Sequence, residues 1–502
     1  MLKEFMNNQP SYSAIITTTL LAVILGACSG GGGGGGGGST NDTVDSGDSG
    51  NTDSDQSSNT TPVIYASNAE FDDGFGWDLD LSRDGSTLIA AARFESSGAS
   101  GVNGDQSDNS AEWAGAAYIF VRGEDAWTQQ AYLKYINAQQ HDYFGWWGLT
   151  LSADGSTAAV SANNVDSPTS GNPTNPSGLI GSVSVYTRTD NEWSFQQEIR
   201  HPDWLQPGNS LALSDDGNTL AISDTAPCNG IASSTAFFAT PVYIYTRSGT
   251  QWSEQTCISI DANPDNTIVE ELFDSVDISG DGNTLVVGVT SDPSASRVIY
   301  GDESDTSAPF AGSAYVFVRS GNSWTQQAYL KASNADANDR FGATVSISRD
   351  GNYIAVGAGK EASNAVGING NQNNNSASNA GAVYIFNRSE GLWTQQAYIK
   401  ASDTVSNGYF GADNDESGGV HLNNDGSRLV VIAVGQNPGF YKFGRTDTTW
   451  TQLHNEPFTS ESSTSFYGTD SALSGDGETI IIGDPFADTE SVQTAGAVFI
   501  YE

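Results

Sequence analysis

FGATVSISRDGNYIAVGAGK at 341–360, followed by AGAVYIFNRSEGLWTQQAYIKAS at 380–402, decides the fold. The stretch opens on Phe-Gly, runs through an apolar alternation to an Asp-Gly turn, and continues into a second apolar run. A long polar loop, a Gly-Ala-rich third run and a Trp-led fourth run complete it. Apolar residues at period two mark strands with one buried face. Asp-Gly between two such runs is a strong hairpin signal, because Gly takes positive φ without steric cost. The unit is a four-stranded antiparallel sheet, and versions of it recur along the chain.

The Asp-Gly turns fall at Asp84, Asp154, Asp216, Asp281, Asp350, Asp425 and Asp476. Phe75, Phe341 and Tyr467 each open an aromatic-Gly pair nine residues before the Asp; Pro207-Gly208 and Leu272-Phe273 hold the same offset in degraded form. Phe144-Gly145 lies ten residues ahead, which predicts a β-bulge in that inner strand. Third strands follow every turn, ending with AGAVFIYE at 495–502, but only six Trp-led fourth strands exist, at Trp127, Trp193, Trp252, Trp324, Trp393 and Trp450. The missing one is at the other end: PVIYASN at 62–68 is similar to AYLKASN at 328–334. A chain that starts with a fourth strand and stops after a third predicts an all-β, seven-bladed β-propeller, with the N-terminal strand completing the last blade. Closure of that kind removes the free edge of an open array.

Residues 1–28 read as a lipoprotein signal peptide. An apolar run from Ala14 to Leu25 ends in Leu25-Gly26-Ala27-Cys28, which is similar to the bacterial lipobox and implies lipidation of Cys28. The run is too short to span a bilayer. Residues 29–61, polyglycine and then Ser/Asp/Asn/Thr-rich, read as a disordered tether, because they cannot bury enough apolar surface to offset their ordering entropy. The propeller occupies 62–502. Together these predict a lipid-anchored protein of the bacterial cell envelope, at the outer membrane or cell surface.

Net charge is −41, from 19 basic and 60 acidic residues, which excludes nucleic acid and anionic membrane surfaces as natural partners. Membrane contact is expected only through the anchor. With Cys28 lipidated, Cys228 and Cys257 remain, both in the third blade. An oxidising compartment favours a disulfide. One strand separates the two in the sheet, so the loop carrying Cys228 must fold over the third strand; the alternative is two free thiols.

Six Trp at one repeat position argue for packing rather than ligand binding. Gly-Ala before each third strand predicts close backbone approach, Phe-Gly predicts packing between blades, and Trp-Gln-Gln-Ala-Tyr predicts an amphipathic strand with Gln outward.

FGATVSISRDGNYIAVGA followed by AGAVYIF resembles the FG-GAP repeat, the blade of the integrin α-subunit propeller, and especially its bacterial relatives. The resemblance covers 62–502 and implies a seven-bladed propeller used in extracellular recognition or adhesion, without catalysis. The family's Asp-x-Asp-x-Asp-Gly-x-x-Asp calcium loop is not matched: the turns here read SRDGST, SADGST, SDDGNT, SGDGNT, SRDGNY, NNDGSR and SGDGET. Ca²⁺ needs six to eight oxygens. The turn Asp is better read as bonding its own backbone, and no metal or cofactor is expected there.

Loops between second and third strands are long, at 93–114, 163–180, 224–240, 290–312 and 359–380, and share one end of the ring. Binding residues concentrate on such loops. GVNGDQSDNSAEWAG at 101–115 and GINGNQNNNSASNAG at 367–381 are near-copies. Asp105, Asp108, Asn109, Trp113 and Trp204 are the candidate ligand-face residues. The acids and Asn109 offer oxygens, although Asx-rich loops usually bond themselves; the Trp rings offer stacking surface or are buried. The four His, at 141, 201, 421 and 454, show no metal-ligand spacing, and no nucleophile elbow or phosphate loop occurs. The leading expectation is a tethered, non-catalytic recognition module for an envelope or extracellular protein or glycan. Alternatives are an envelope assembly component and, last, an enzyme acting on polysaccharide or lipid.

Overall fold

The computed structural model describes residues 61–502 except Asp125, 167–178, 202–203, 205–206, 226–227, 229–238, 262–274, 412–418, 459–467 and Glu490. The signal peptide, Cys28 and the tether lie outside the described residues, as do Leu272, Phe273 and Tyr467.

Seven antiparallel sheets stand around one axis. Their inner strands are Phe75–Leu81, Phe144–Leu151, Leu211–Leu213, Val276–Ile278, Val345–Ile347, Val420–Leu422 and Ser471–Leu473, numbered here as blades 1 to 7. Blade 7 has the strand order Val63–Ile64, Ala497–Tyr501, Ile480–Asp484, Ser471–Leu473. Its outermost strand thus comes from the start of the propeller sequence, with Val63 opposite Phe499 and Ile64 opposite Val498. The expected latch is present.

Each Asp-Gly turn is held as the sequence implies. In blade 1 the Ser82 hydroxyl donates to Asp84 Oδ1 (2.7 Å), which also accepts the Ser86 N–H (2.9 Å), while Ser82 Oγ accepts from Thr87 N–H (2.9 Å). The bulge in blade 2 is also present: between Phe144 and Leu149 the strand spends five residue steps where its partner, Ala162 to Val160, spends two. Blade 1 spends four, from Phe75 to Leu79, over the same two partner steps. The extra residue therefore widens an irregularity that blade 1 already has.

The blades are joined at three radii. Innermost, the residue before each turn Asp donates its N–H to the corresponding carbonyl of the next blade: Arg83 to Ala153, Ala153 to Asp215, Asp215 to Gly280, Gly280 to Arg349, Arg349 to Asn424, Asn424 to Gly475, and Gly475 back to Arg83, at 2.8–3.3 Å. At the opposite end, Phe-Gly of one blade sits on Ala-Gly of the blade before it. Phe341 N–H donates to Ala311 O (3.1 Å), and a Cβ on Gly312 would lie 2.0 Å from Phe341 O. The same joint recurs at Phe75 with Ala495, Phe144 with Ala114 and Phe410 with Ala380.

Outermost, the fourth-strand Trp are joints as well as core. Trp193, Trp252, Trp393 and Trp450 are buried. Their indole Nε1, and that of Trp324, donate to Gln130, Gln196, Gln327, Gln396 and Gln255 of the preceding blade at 2.8–3.0 Å. This corrects the expectation that both Gln face outward. The second Gln is the bulged residue of its strand: the ladder passes from Gln129 to Ala131, from Gln326 to Ala328 and from Gln395 to Ala397. The bulge lifts that side chain out of the ladder and aims it along the ring. In blade 6 the bulged residue is Leu453, which is exposed, and blade 7 has no Trp to meet it.

Candidate functional site

The long loops are built as caps rather than free arms. Those at 93–114, 290–312 and 359–380 share one design. Under each, a fully buried Lys from the end of the fourth strand meets a buried carboxylate from the start of the loop: Lys134 with Glu95 (2.7 Å), Lys400 with Glu361 (2.7 Å) and Lys331 with Asp292 (3.5 Å). Tyr132, Tyr398 and Tyr329 donate their hydroxyls to the same carboxylates at 2.8, 3.0 and 3.0 Å. Burial lowers the three Lys pKa values, opposed by the carboxylate beside each. A buried pair survives when its remaining valences are filled, as here. Each cap then reaches the outer edge of its own blade, where the N–H of Asn103, Tyr300 and Asn369 donates to Tyr132, Tyr329 and Tyr398 O. Those three residues sit at φ 54, 60 and 53°. Sequence comparison within the chain finds two of these caps. The third is concealed because Asp292 replaces Glu and Tyr300 replaces Asn.

Asp105 and Asp108 close Asx turns, each accepting an N–H two residues on, from Ser107 and Ser110 at 3.0 Å. Hydrogen bonds from the Ser107 hydroxyl and N–H hold the Asp105 carboxyl below its usual range. Asn109 Nδ2 donates to Glu70 (2.7 Å). Among the described residues no group of three His, Cys, Asp or Glu side chains could hold a metal ion. Trp113 is half-buried and packs on Phe94, His141 and Tyr143. Trp204 is fully buried, edge-on to Tyr243 and Tyr245, so it offers no ring to a ligand; that candidate is withdrawn. The two are not brought together. Cys228 and Cys257 form a disulfide, with Cα atoms 5.8 Å apart.

The feature that motif reading missed is the axial cavity, about 330 Å³, lined by all seven inner strands. Trp77, Trp146, Phe310 and Arg340 line its long-loop end, and Arg83 and Arg349 its turn end. Arg349 pairs with Asp215 (2.6 Å) and donates to Ile278 O (3.1 Å). Burial and the neighbouring Arg349 pull the Arg83 pKa down to about 10, while Asp277, Asp80 and Asp215 oppose the shift. A Cβ on Gly280 would lie 2.2 Å from Asp215 Oδ2, and one on Gly475 2.5 Å from Asn424 Nδ2, so this end is narrow.

Between the ends, polar side chains cap the N–H groups that face across blade boundaries. Six residues before the turn Asp, Asp470 accepts from Leu79 (2.7 Å), Ser210 from Val276 (3.1 Å) and Ser275 from Val345 (3.2 Å). Four residues before it, Asp80 accepts from Leu151 (2.7 Å), Asp277 from Ile347 (2.8 Å) and Ser346 from Leu422 (3.0 Å). Burial raises the pKa of Asp80 and Asp277. It lowers that of His421, which is bonded to Ser471 (2.8 Å), to about 4. The available signal was the polar side chain at every second place of an inner strand, such as Asp78 and Asp80 flanking Leu79.

Residues 324–386 match the family model of the FG-GAP repeat. That segment begins at the outer-strand Trp of blade 4 and ends in the third strand of blade 5, the same offset by which the whole chain is permuted. A search of curated proteins gave no match. Among solved structures, the chain is similar to a protein assigned as a 6-phosphogluconolactonase from Bacteroides uniformis, at 14% identity over 73% of this chain and 84% of that one, TM-score 0.44. It is also similar to a chain of a mitotic checkpoint complex (11%, 91% and 96%, 0.48). A third is the Cps50 (Swd1) β-propeller domain of Myceliophteria thermophila (9%, 88% and 99%, 0.49). Sheet order and ring closure make this chain a seven-bladed β-propeller, and it carries a match to the FG-GAP repeat at 324–386, consistent with an integrin α-like propeller.

Proposed function

We propose that the chain is a surface-tethered lipoprotein whose propeller is a non-catalytic recognition module, binding an envelope or extracellular protein or glycan through its long-loop end. The observation that carries this reading is the contrast between the two ends. One end is seven tight turns around a backbone circle. The other presents caps whose conformation is fixed by buried Lys–carboxylate pairs. A surface ordered before contact loses less entropy on binding. Exposed Val298 and Val366 stand on two of the caps, with Asp105 and Asp108 on the third.

The test is capture of envelope or host-surface ligands by the full chain, repeated with Val298→Arg and Val366→Arg together. Loss of capture with an unchanged melting temperature supports the reading. Unchanged capture removes the long-loop end as the binding surface. Separately, Cys28→Ser should release the protein from membranes into the soluble fraction.

A further inference from the structure

The three buried pairs under the caps are not equivalent. In blade 1 the Lys134 Nζ donates to Glu95 Oε2 at 2.7 Å, and both side chains are shut off from water. Oε1 of the same carboxylate accepts from the Tyr132 hydroxyl (2.8 Å) and from Asn68 Nδ2 (3.2 Å). The Tyr118 hydroxyl donates to Asn68 Oδ1 (2.7 Å), which turns that amide so that its N–H group faces Glu95. Blade 5 repeats the arrangement atom for atom. Lys400 Nζ donates to Glu361 Oε2 (2.7 Å), the Tyr398 hydroxyl and Asn334 Nδ2 donate to Oε1 (3.0 and 2.8 Å), and the Tyr384 hydroxyl donates to Asn334 Oδ1 (2.6 Å). Asn68 and Asn334 each come from just beyond the outermost strand of the preceding blade. Blade 4 departs from this. Its acid, Asp292, is one methylene shorter; Lys331 Nζ stands 3.5 Å away and has the Gly312 carbonyl as its closer partner.

An amine held against one oxygen of a carboxyl, with two donors on the other oxygen, is arranged for acyl transfer. We propose that Lys134 with Glu95, and Lys400 with Glu361, condense into intramolecular amide bonds, each stapling a cap to the outer strand of its blade. One proton passes from Nζ to Oε2, giving the neutral pair. Nζ then attacks Cδ, and the charge that develops on Oε1 meets the Tyr hydroxyl and Asn amide already aimed there. Oε2 takes a second proton from Nζ and leaves as water. Ammonium and carboxylate thus become a secondary amide and one water, and no oxidant or co-reactant is consumed.

The surroundings favour each stage. A dry interior penalises two charges far more than it penalises an amide. The fold holds the reacting groups in contact, which replaces a bimolecular encounter by an intramolecular one. Burial lowers the pKa of both Lys, toward the neutral amine. Beside Lys400 the further carboxyl is Asp339, which burial raises to about 8, so in neutral solution it does not hold the ammonium charged. At Lys331 the longer separation and the carbonyl contact keep Nζ off the Asp292 carboxyl, and no bond is expected there.

Peptide mapping of the purified full chain under denaturing conditions tests this. Trypsin does not cut after an acylated Lys. The peptides carrying Glu95 and Lys134 should therefore travel as one species, lighter than their sum by one water, and so should those carrying Glu361 and Lys400. Cleavage after Lys331 should be normal. Tyr398→Phe removes one donor from Glu361 Oε1, and after cell-free synthesis it should slow the appearance of the blade 5 link by at least about tenfold. The blade 1 link, forming in the same molecules at its usual rate, reports that the variant folds. Separate, unlinked peptides for both pairs in the wild-type map overturn the proposal, as does a blade 5 link that forms equally fast in Tyr398→Phe.

Discussion

The Gly475 N–H donates to the carbonyl of Arg83 at 2.8 Å, and with that bond seven peptide groups form an unbroken circle around the axis. Each member uses its one donor and one acceptor tangentially, so no polar backbone group at this level is left for the channel. The circle needs backbone alone, and side-chain changes at these positions act by crowding. The joints at the opposite end are more sensitive, because there glycine is required by both space and φ.

Gly342→Ala tests such a joint. Gly342 has φ +98°, and a Cβ there would lie 2.2 Å from Ser313 O of blade 4. Neither the backbone conformation nor the neighbour can yield cheaply, so the substitution should cost at least about 2 kcal/mol, read from the urea midpoint.

The outer belt predicts a measurable coupling. Trp393→Phe and Gln327→Leu each break the 2.8 Å bond between blades 4 and 5. A double-mutant cycle should return a coupling of about 1 kcal/mol, whereas pairing Trp393→Phe with Gln326→Leu, whose side chain bonds Glu303, should return none.

Stability should be highest in mildly acid solution. Burial raises Asp484 and Asp470 to about 6, Asp73 to about 7 and Asp339 to about 8, so each contributes stability that is lost as pH rises through those values. Hydrogen bonds from the Ser474 hydroxyl and Glu478 N–H hold Asp476 below 3.8, a contribution present above that value and lost as pH falls. Melting temperature should therefore peak between about pH 4 and 6 and decline on both sides.

Reduction of the Cys228–Cys257 bridge, which closes 29 residues of blade 3, should lower stability by about 2–4 kcal/mol. Melting with and without dithiothreitol, against Cys257→Ser, measures it; a Cys257→Ser melt insensitive to reductant confirms the assignment.

Calcium should not raise the melting temperature. The turn Asp and the cap Asp have their near oxygens committed to local N–H and hydroxyl groups, as Asp84 and Asp105 show. Melts in millimolar Ca²⁺ and in EGTA should coincide.

Periodicity made the ring legible. Phe341-Gly342, Asp350-Gly351 and Trp393 are side-chain signatures repeated in fixed order, and the displaced fourth strand at 62–68 follows from counting them. The backbone circle left no such trace: Arg83, Ala153, Asp215, Gly280, Arg349, Asn424 and Gly475 share no side-chain chemistry because only their peptide groups bond. Gln130 was misread because a bulge reverses the outward reading of strict alternation. Trp204 was placed by its loop, whereas its indole found the space under blade 3. Asp78 and Asp470 lie 392 positions apart, and only the closed geometry sets them side by side.

The two-residue strand Val63–Ile64 is made by the ribosome before any blade exists, and its partner Ala497–Tyr501 follows more than 430 residues later. During synthesis the growing arc therefore carries an open flank at both ends, and no partial ring can be sealed. A chaperone that sheds its client only when exposed strand edges vanish would read that final pairing as the signal of completion.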